Sequence, residues 1–220
     1  MITETIQYKQ LVRMRGLAQT YRSELPAPAR QALTTLTSEL GNLATLAGSQ
    51  ASAEGKEQEL KRAKGTARAE LTTELAAIHR IARVIAMETP GFDDKFRMPR
   101  RGDEKLLAAA RSFAENAEPA SAIFVKHALP ADFIKALSTT IENFEEAGNN
   151  YAEAGRASAA IAMDIQTTLQ RALAASKLLD AIVRNTFRND PMKLAEWDRA
   201  CQSGIKRSRS TPTAAPATPA

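Results

Sequence analysis

A regular seam of apolar and small residues runs through the C-terminal half of the chain and limits the fold more than any other feature. Its spacing alternates between three and four residues without a break. This period is typical of an α-helix that packs against another helix along its whole length. The sequence therefore predicts a long helix from Pro130 to just before Asn189-Asp190-Pro191. The seam consists of Leu137, Ile141, Phe144, Gly148, Tyr151, Gly155, Ser158, Ala162, Ile165, Leu169, Ala172, Ser176, Leu179 and Val183.

A second seam in the N-terminal half predicts a helix from Ala29 to about Glu88. Its middle, residues 48–58, is polar and contains Gly48 and Gly55, so a loop between two helices is one interpretation. We favour one continuous helix, about 90 Å long at the usual helical rise, because the seam keeps its phase across this stretch. The seam residues are Leu33, Leu36, Leu40, Leu43, Ala47, Leu60, Lys64, Ala67, Leu71, Leu75, Ile78, Ala82 and Ile85.

Four shorter helices fill the rest of the pattern. Apolar spacing predicts them at 3–24, 104–118, 120–129 and 191–202. Pro26 and Pro28 separate the first from the long helix that follows, and Asp103 is expected to cap the helix at 104–118.

Together these elements predict an all-α fold, an elongated up-and-down bundle with two long antiparallel helices and shorter helices packed at each end. A single domain would cover residues 1–202. Small residues near the middle of both long helices would let the two helices approach closely. These residues are Gly48, Ala51 and Gly55 in one helix and Gly148, Gly155 and Ser158 in the other.

The charge of the chain is concentrated in a short tail. Residues 203–220 are rich in Ser, Thr, Pro and Ala, and we expect them to be disordered because they cannot bury enough apolar surface. Lys206, Arg207 and Arg209 supply three of the five net positive charges, so residues 1–202 carry only +2. A pI of about 9.5 is therefore a weak indication of nucleic-acid binding.

The sequence also bears on location and redox chemistry. The first residues do not resemble a secretory signal, and no stretch reaches the ~18 apolar residues of a membrane span, so a cytoplasmic protein without membrane contact is expected. Cys201 is the only cysteine, which excludes an intrachain disulfide.

Motifs for catalysis or metal binding are missing from the sequence. A di-iron bundle needs Glu three residues before His, whereas Ala76 and Phe124 precede His79 and His127. No nucleophile–base set or phosphate-binding glycine loop is visible. The sequence therefore predicts no enzyme, cofactor or metal. The glutamates Glu142, Glu145 and Glu146 are expected on a solvent-exposed helix face. Trp197 and Cys201 are expected to be packing residues.

One connecting loop, residues 89–102, is a candidate binding element. Lys95, Arg97, Arg100 and Arg101 lie within seven residues of one another. Basic groups with interleaved aromatics can hold phosphate or an acidic partner. Alternatively, the aromatics plug the bundle while the arginines pair with nearby aspartates. The interleaved apolar residues are Phe92, Phe96 and Met98.

The same loop carries a family resemblance. The run Phe96-Arg97-Met98-Pro99-Arg100-Arg101-Gly102-Asp103, followed by Leu106-Leu107-Ala108-Ala109-Ala110-Arg111, resembles a stretch in an uncharacterised family of bacterial all-helical proteins. The similarity extends loosely over 80–190. It implies a bacterial origin and an all-helical fold. No activity is assigned to the family, so no functional residue carries over.

Two hypotheses about function follow. The first is a non-enzymatic structural or protein-interaction bundle that forms a homo-oligomer or binds an unknown protein partner. The second is a nucleic-acid-associated protein that uses the basic 95–101 loop and the basic tail, with Lys95, Arg97, Arg100, Arg101, Lys206, Arg207 and Arg209 as the contact residues.

Overall fold

The computed structural model describes residues 5–202, and all regular structure in this part of the chain is helical. The predicted all-α fold with two long helices is confirmed. A short 3₁₀ turn covers Phe92–Phe96. The α-helices are α1 (Ile6–Thr20), α2 (Ala27–Ile85), α3 (Asp103–Ala117), α4 (Ser121–Lys126), α5 (Phe133–Thr186) and α6 (Pro191–Cys201).

Helix α2 is continuous through residues 48–58, as the phase of its seam predicted. No proline interrupts it after Pro28, which lies in its first turn where a missing N–H costs no hydrogen bond. Its seam persists through the polar stretch as half-buried side chains at Gln50, Ala53, Glu57 and Leu60.

The long seam of α5 is confirmed with one exception. Its members at both ends of the helix are mostly buried, and those between Gly148 and Ser158 are half-buried. Ala162 is exposed, and the neighbouring Ile161 is half-buried in its place. Within residues 50–160, α5 runs antiparallel to α2. Ser158 Oγ donates to Glu57 Oε2 at 3.2 Å, and Lys64 Nζ lies 5.5 Å from the ring centre of Tyr151.

The chain divides into two compact units, each with its own hydrophobic core. Unit 1 contains residues 5–49 and 161–202 of the described chain, with α1, the start of α2, the end of α5 and α6. Helix α6 folds back beside α1, where Gln10 Nε2 donates to the Cys201 carbonyl at 2.6 Å. Trp197 is buried in this core, which also contains the first leucines of the α2 seam.

Unit 2 contains residues 50–160, with α3 and α4 packed on the remaining parts of α2 and α5. Its core is built around a cluster of phenylalanine rings whose centres lie 5.3–5.6 Å apart. These distances are typical of favourable aromatic pairs. The cluster consists of Phe92, Phe96, Phe113, Phe124 and Phe133.

Several helix boundaries differ from the predictions. Helix α1 ends at Thr20 rather than 24, because Tyr21 leaves the helical region, and α5 begins at Phe133 rather than Pro130. The prediction that Asp103 caps α3 was wrong. Gly102 holds the cap position with φ +101°, a conformation that favours glycine, and Asp103 is the first helical residue.

The role predicted for glycines in bringing the long helices together was also wrong. On α5, Gly148 and Gly155 are half-buried, but an added Cβ atom would have no heavy atom within 4 Å. On α2 the predicted residues do not face the partner helix. Gly48, Ala51 and Gly55 are all exposed. A Cβ atom added at either glycine would have no heavy atom within 4 Å. These residues therefore face away from the seam. Whether residues 1–202 fold as one domain stays a prediction, and the 203–220 tail lies outside the described residues.

Candidate functional site

The basic loop predicted from sequence is exposed, but one of its charges is already paired. Arg97 forms an ion pair with Asp94 at 2.5 Å. Lys95, Arg100 and Arg101 are exposed and form no ion pair with a described residue. Three cations of the four are thus available, in a stretch that also carries carboxylates. The predicted tail residues Lys206, Arg207 and Arg209 lie outside the described residues.

The aromatic residues of the loop belong to the core of unit 2. Phe96 is fully buried, and Phe92 and Met98 are half-buried against the same core. Phe92 stacks on Phe96 with ring centres 5.5 Å apart. Because a buried ring cannot stack on a nucleotide base, Phe96 does not extend a binding surface. Of the two interpretations of these aromatics, plugging the bundle is the one that the packing supports.

Asp103 fixes the end of the loop to α2 instead of pairing with the loop arginines. Its carboxylate accepts from Lys64 Nζ at 2.7 Å and Arg68 Nε at 3.0 Å. The hydrogen bond from Lys64 lowers the pKa of Asp103, and Arg68 adds to the effect, against an opposing desolvation. This pairing fastens the start of α3 and leaves Arg100 and Arg101 without that partner.

Two of the side chains that could carry chemistry, His79 and Glu145, are engaged in structural contacts. His79 Nδ1 lies 2.6 Å from the Phe96 carbonyl oxygen. Glu145 pairs with Arg111, whereas Glu142 and Glu146 are exposed. Within residues 5–202, no group of three or more His, Cys, Asp or Glu is arranged to hold a metal ion.

A two-helix segment in unit 2 is less covered than the rest of the long helices. Residues 50–63 of α2 and 149–160 of α5 include no buried residue, and their seam side chains are only half-buried. One side of this pair forms a groove of about 370 Å³, which we call the α2–α5 groove. Its lining is mostly small or apolar, with one cation and one anion: Ala53, Lys56, Leu60, Asn150, Glu153, Ala154 and Ala157.

A second groove, in unit 1, was not predicted from the sequence. It lies between α1 and the start of α2, has a volume of about 640 Å³, and continues into an adjoining depression. We call the two together the α1–α2 groove. Arg15 and Arg22 line it from the α1 side and Arg30 from α2, and no carboxylate is among its lining residues. The sequence did hold a signal, since residues 5–23 contain Lys9, Arg13, Arg15 and Arg22 and no Asp or Glu.

Comparison with known proteins adds no functional information. The chain matches no protein-family model, no curated protein and no solved structure.

Among the described residues, none of the helices is both long and apolar enough to cross a membrane.

Proposed function

We propose that this protein is a non-enzymatic helical-bundle interaction protein that self-associates through the α2–α5 groove. The observation that carries the proposal is the incomplete cover of the two-helix segment at 50–63 and 149–160, where no residue is buried. A helix pair buries more apolar surface when further helices pack on it, and a second copy would supply two.

The charges of the groove favour a second copy as the occupant. Lys56 lies on the α2 side and Glu153 on the α5 side, and neither forms an ion pair with a described residue. In a twofold-symmetric contact the same patch meets itself. Glu153 of each copy would therefore pair with Lys56 of the other copy. Small residues such as Ala53, Ala154 and Ala157 would let the two copies approach closely.

The proposal is tested by Ala157→Arg, which places a long cation in the α2–α5 groove. Arg has nearly the helix propensity of Ala, so α5 should stay intact. We expect the dissociation constant of the dimer to rise at least about tenfold, a loss of roughly 1.4 kcal/mol. Sedimentation equilibrium over a range of protein concentrations would measure it.

Ala152→Arg is the matched control, because Ala152 is an exposed residue of the same helix and does not line the groove. It should leave the dissociation constant unchanged. A strictly monomeric wild-type protein at every concentration would contradict the proposal. Equal weakening by both variants would show that the groove is not the contact.

Nucleic-acid association is the second candidate function, favoured by the exposed cations Lys95, Arg100 and Arg101. A gel shift at low salt would test it, and binding of the nucleic acid should weaken steeply as salt is added. A cytoplasmic location, a bacterial origin and the resemblance of 96–111 to a bacterial helical family stay predictions from the sequence.

A further inference from the structure

We infer that the α1–α2 groove of unit 1 binds the phosphodiester backbone of a nucleic-acid strand. This inference rests on the second candidate function and moves its contact site from the 95–101 loop to a different part of the molecule. Three arginines line the groove: Arg15 from α1, Arg22 from the turn that follows α1, and Arg30 from α2.

The three guanidinium groups are free to take a ligand. None of them forms an ion pair or a side-chain hydrogen bond with a described residue. The only carboxylate between residues 5 and 38 is Glu24, and Lys193 Nζ holds it at 2.5 Å. Glu24 therefore does not neutralise the groove. An arginine fork matches two phosphate oxygens at once, which is why arginine is favoured for phosphate recognition.

The backbone of α2 adds to the positive potential. The helix begins at Ala27, close to Arg30, and its first turn contains no acidic residue. The unpaired N–H groups at the start of a helix carry a partial positive charge that favours anions. This field supports the arginines and would not form a site without them.

The remaining lining residues indicate what kind of anion fits. The hydroxyls of Thr34 and Thr37 donate to the carbonyls of Arg30 and Leu33 within α2, at 2.9 and 2.8 Å. Since these protons are already used, the donors come from the arginines, from the amides of Gln19 and Gln31, and from the hydroxyls of Ser23 and Ser38. Leu33 forms the apolar floor and is buried. None of the lining residues is an exposed large apolar side chain that could enter a lipid layer, and this favours a polyanion over a membrane surface.

The spacing of the arginines favours a chain of phosphates over a single one. Arg15 and Arg22 are seven positions apart in the sequence, the first within α1 and the second just after its end. A nucleic-acid strand carries one phosphate per nucleotide, so arginines spaced along the groove can each meet a different phosphate. The groove is an open trough between two helices, which suits a strand that enters and leaves it.

The test compares two variants of the full chain that each lose three cations. Arg15→Gln/Arg22→Gln/Arg30→Gln removes the groove charges, and Lys95→Gln/Arg100→Gln/Arg101→Gln removes the unpaired loop charges. Gln keeps the helix propensity of Arg, and circular dichroism would verify the fold. The probes are a fluorescent oligothymidylate strand and a duplex of the same length, with anisotropy as the readout.

We expect the groove variant to lose at least about tenfold in affinity and to reduce the slope of log K against log salt by about two to three. The loop variant should lose much less. Equal losses in both variants, or no loss in the groove variant, would overturn the groove assignment while nucleic-acid binding stood. Wild-type protein that binds neither probe would overturn the inference together with the second candidate function. Self-association, measured separately, is unaffected by either result.

Discussion

Asp180 collects three donors in unit 1, and this cluster determines how its neighbours behave. Trp197 Nε1 donates to its carboxylate at 2.7 Å and Arg184 Nε at 2.9 Å, while Cys201 Sγ lies 3.7 Å away. Burial, and then the negative charge of Asp180, raise the pKa of the Cys201 thiol to about 12. The only cysteine is therefore a packing residue with a protonated thiol, in keeping with the sequence interpretation.

Cys201 should react slowly with thiol reagents in the folded protein. With a pKa of about 12, only about one thiol in ten thousand is ionised at pH 8, and the thiolate is the reacting form. In denaturant, at the ordinary pKa of 9.0, about one thiol in ten is ionised, so we expect the reaction of the native protein with Ellman's reagent to be on the order of a thousandfold slower. Asp180→Asn should recover part of the rate. Equal rates for native and denatured protein would contradict the raised pKa.

The same shift has a consequence for stability at high pH. Because the native pKa of Cys201 lies above its ordinary value of 9.0, the protonated thiol favours the folded state below about pH 9. This contribution is lost as the pH rises from there toward 12. Asp103 behaves in the opposite sense, since its pKa is lowered and its contribution is lost at acid pH.

At the scale of the helices, Asp103 joins two elements that the sequence does not show to be neighbours. It accepts from Lys64 and Arg68 of α2 while it forms the first residue of α3. The sequence predicted a cap, since an Asp before a helix often serves as one. The partners come from thirty-five or more positions away in the chain, and local rules cannot identify them.

Asp103→Asn should destabilise the protein modestly and in a pH-dependent way. The pair is partly exposed, with the Asp103 side chain at 39% relative accessibility, so we expect a loss of up to about 1 kcal/mol at pH 7. The lowered pKa means that the difference disappears as the pH falls below about 3.8, where the carboxyl takes up its proton. Urea unfolding at neutral and acid pH would measure both effects.

Glu104→Gln is the matched control, because Glu104 is the next residue, is exposed, and lies in the same first turn of α3. It removes the same charge near the same helix start without breaking an ion pair. A loss equal to that of Asp103→Asn would show that the helix dipole, and not the link to α2, accounts for the effect.

At the scale of the whole molecule, α2 and α5 each contribute to both compact units. The sequence predicted a single domain over residues 1–202, which in thermodynamic terms means one cooperative unfolding transition. This single transition can be tested because each hydrophobic core has a large, fully buried aromatic residue. These are Trp197 in unit 1 and Phe96 in unit 2.

Trp197→Ala and Phe96→Ala should both lower one common melting transition. Each removes a buried ring, which costs about 3–5 kcal/mol in protein cores. Differential scanning calorimetry would show a single peak that moves in both variants if the domain is single. Two peaks, with only one moved by each variant, would contradict the prediction. Leu178→Ala, at a residue 54% exposed, should change the transition little.

The surfaces were harder to predict than the packing. The basic loop was visible because Lys95, Arg97, Arg100 and Arg101 lie together in the sequence, but the ion pair of Arg97 and the burial of Phe96 depend on the fold. The α1–α2 groove draws on two segments, with Arg15 and Arg22 in one and Arg30 in the other. That these segments lie side by side depends on the tertiary structure. The lack of acidic residues between 5 and 23, in contrast, is visible in the sequence.

The sequence by itself determined the helices, since an apolar period of three and four residues needs only local geometry and burial on one face. It therefore predicted α5 from its seam and the continuity of α2 through Gly48 and Gly55. Only the tertiary structure decided which charges are paired and which side chains share a groove. Such contacts join residues far apart in the chain, and no local pattern encodes their partners. The ion pair of Lys64 with Asp103 is one such contact, and the shared groove of Arg15 and Arg30 is another.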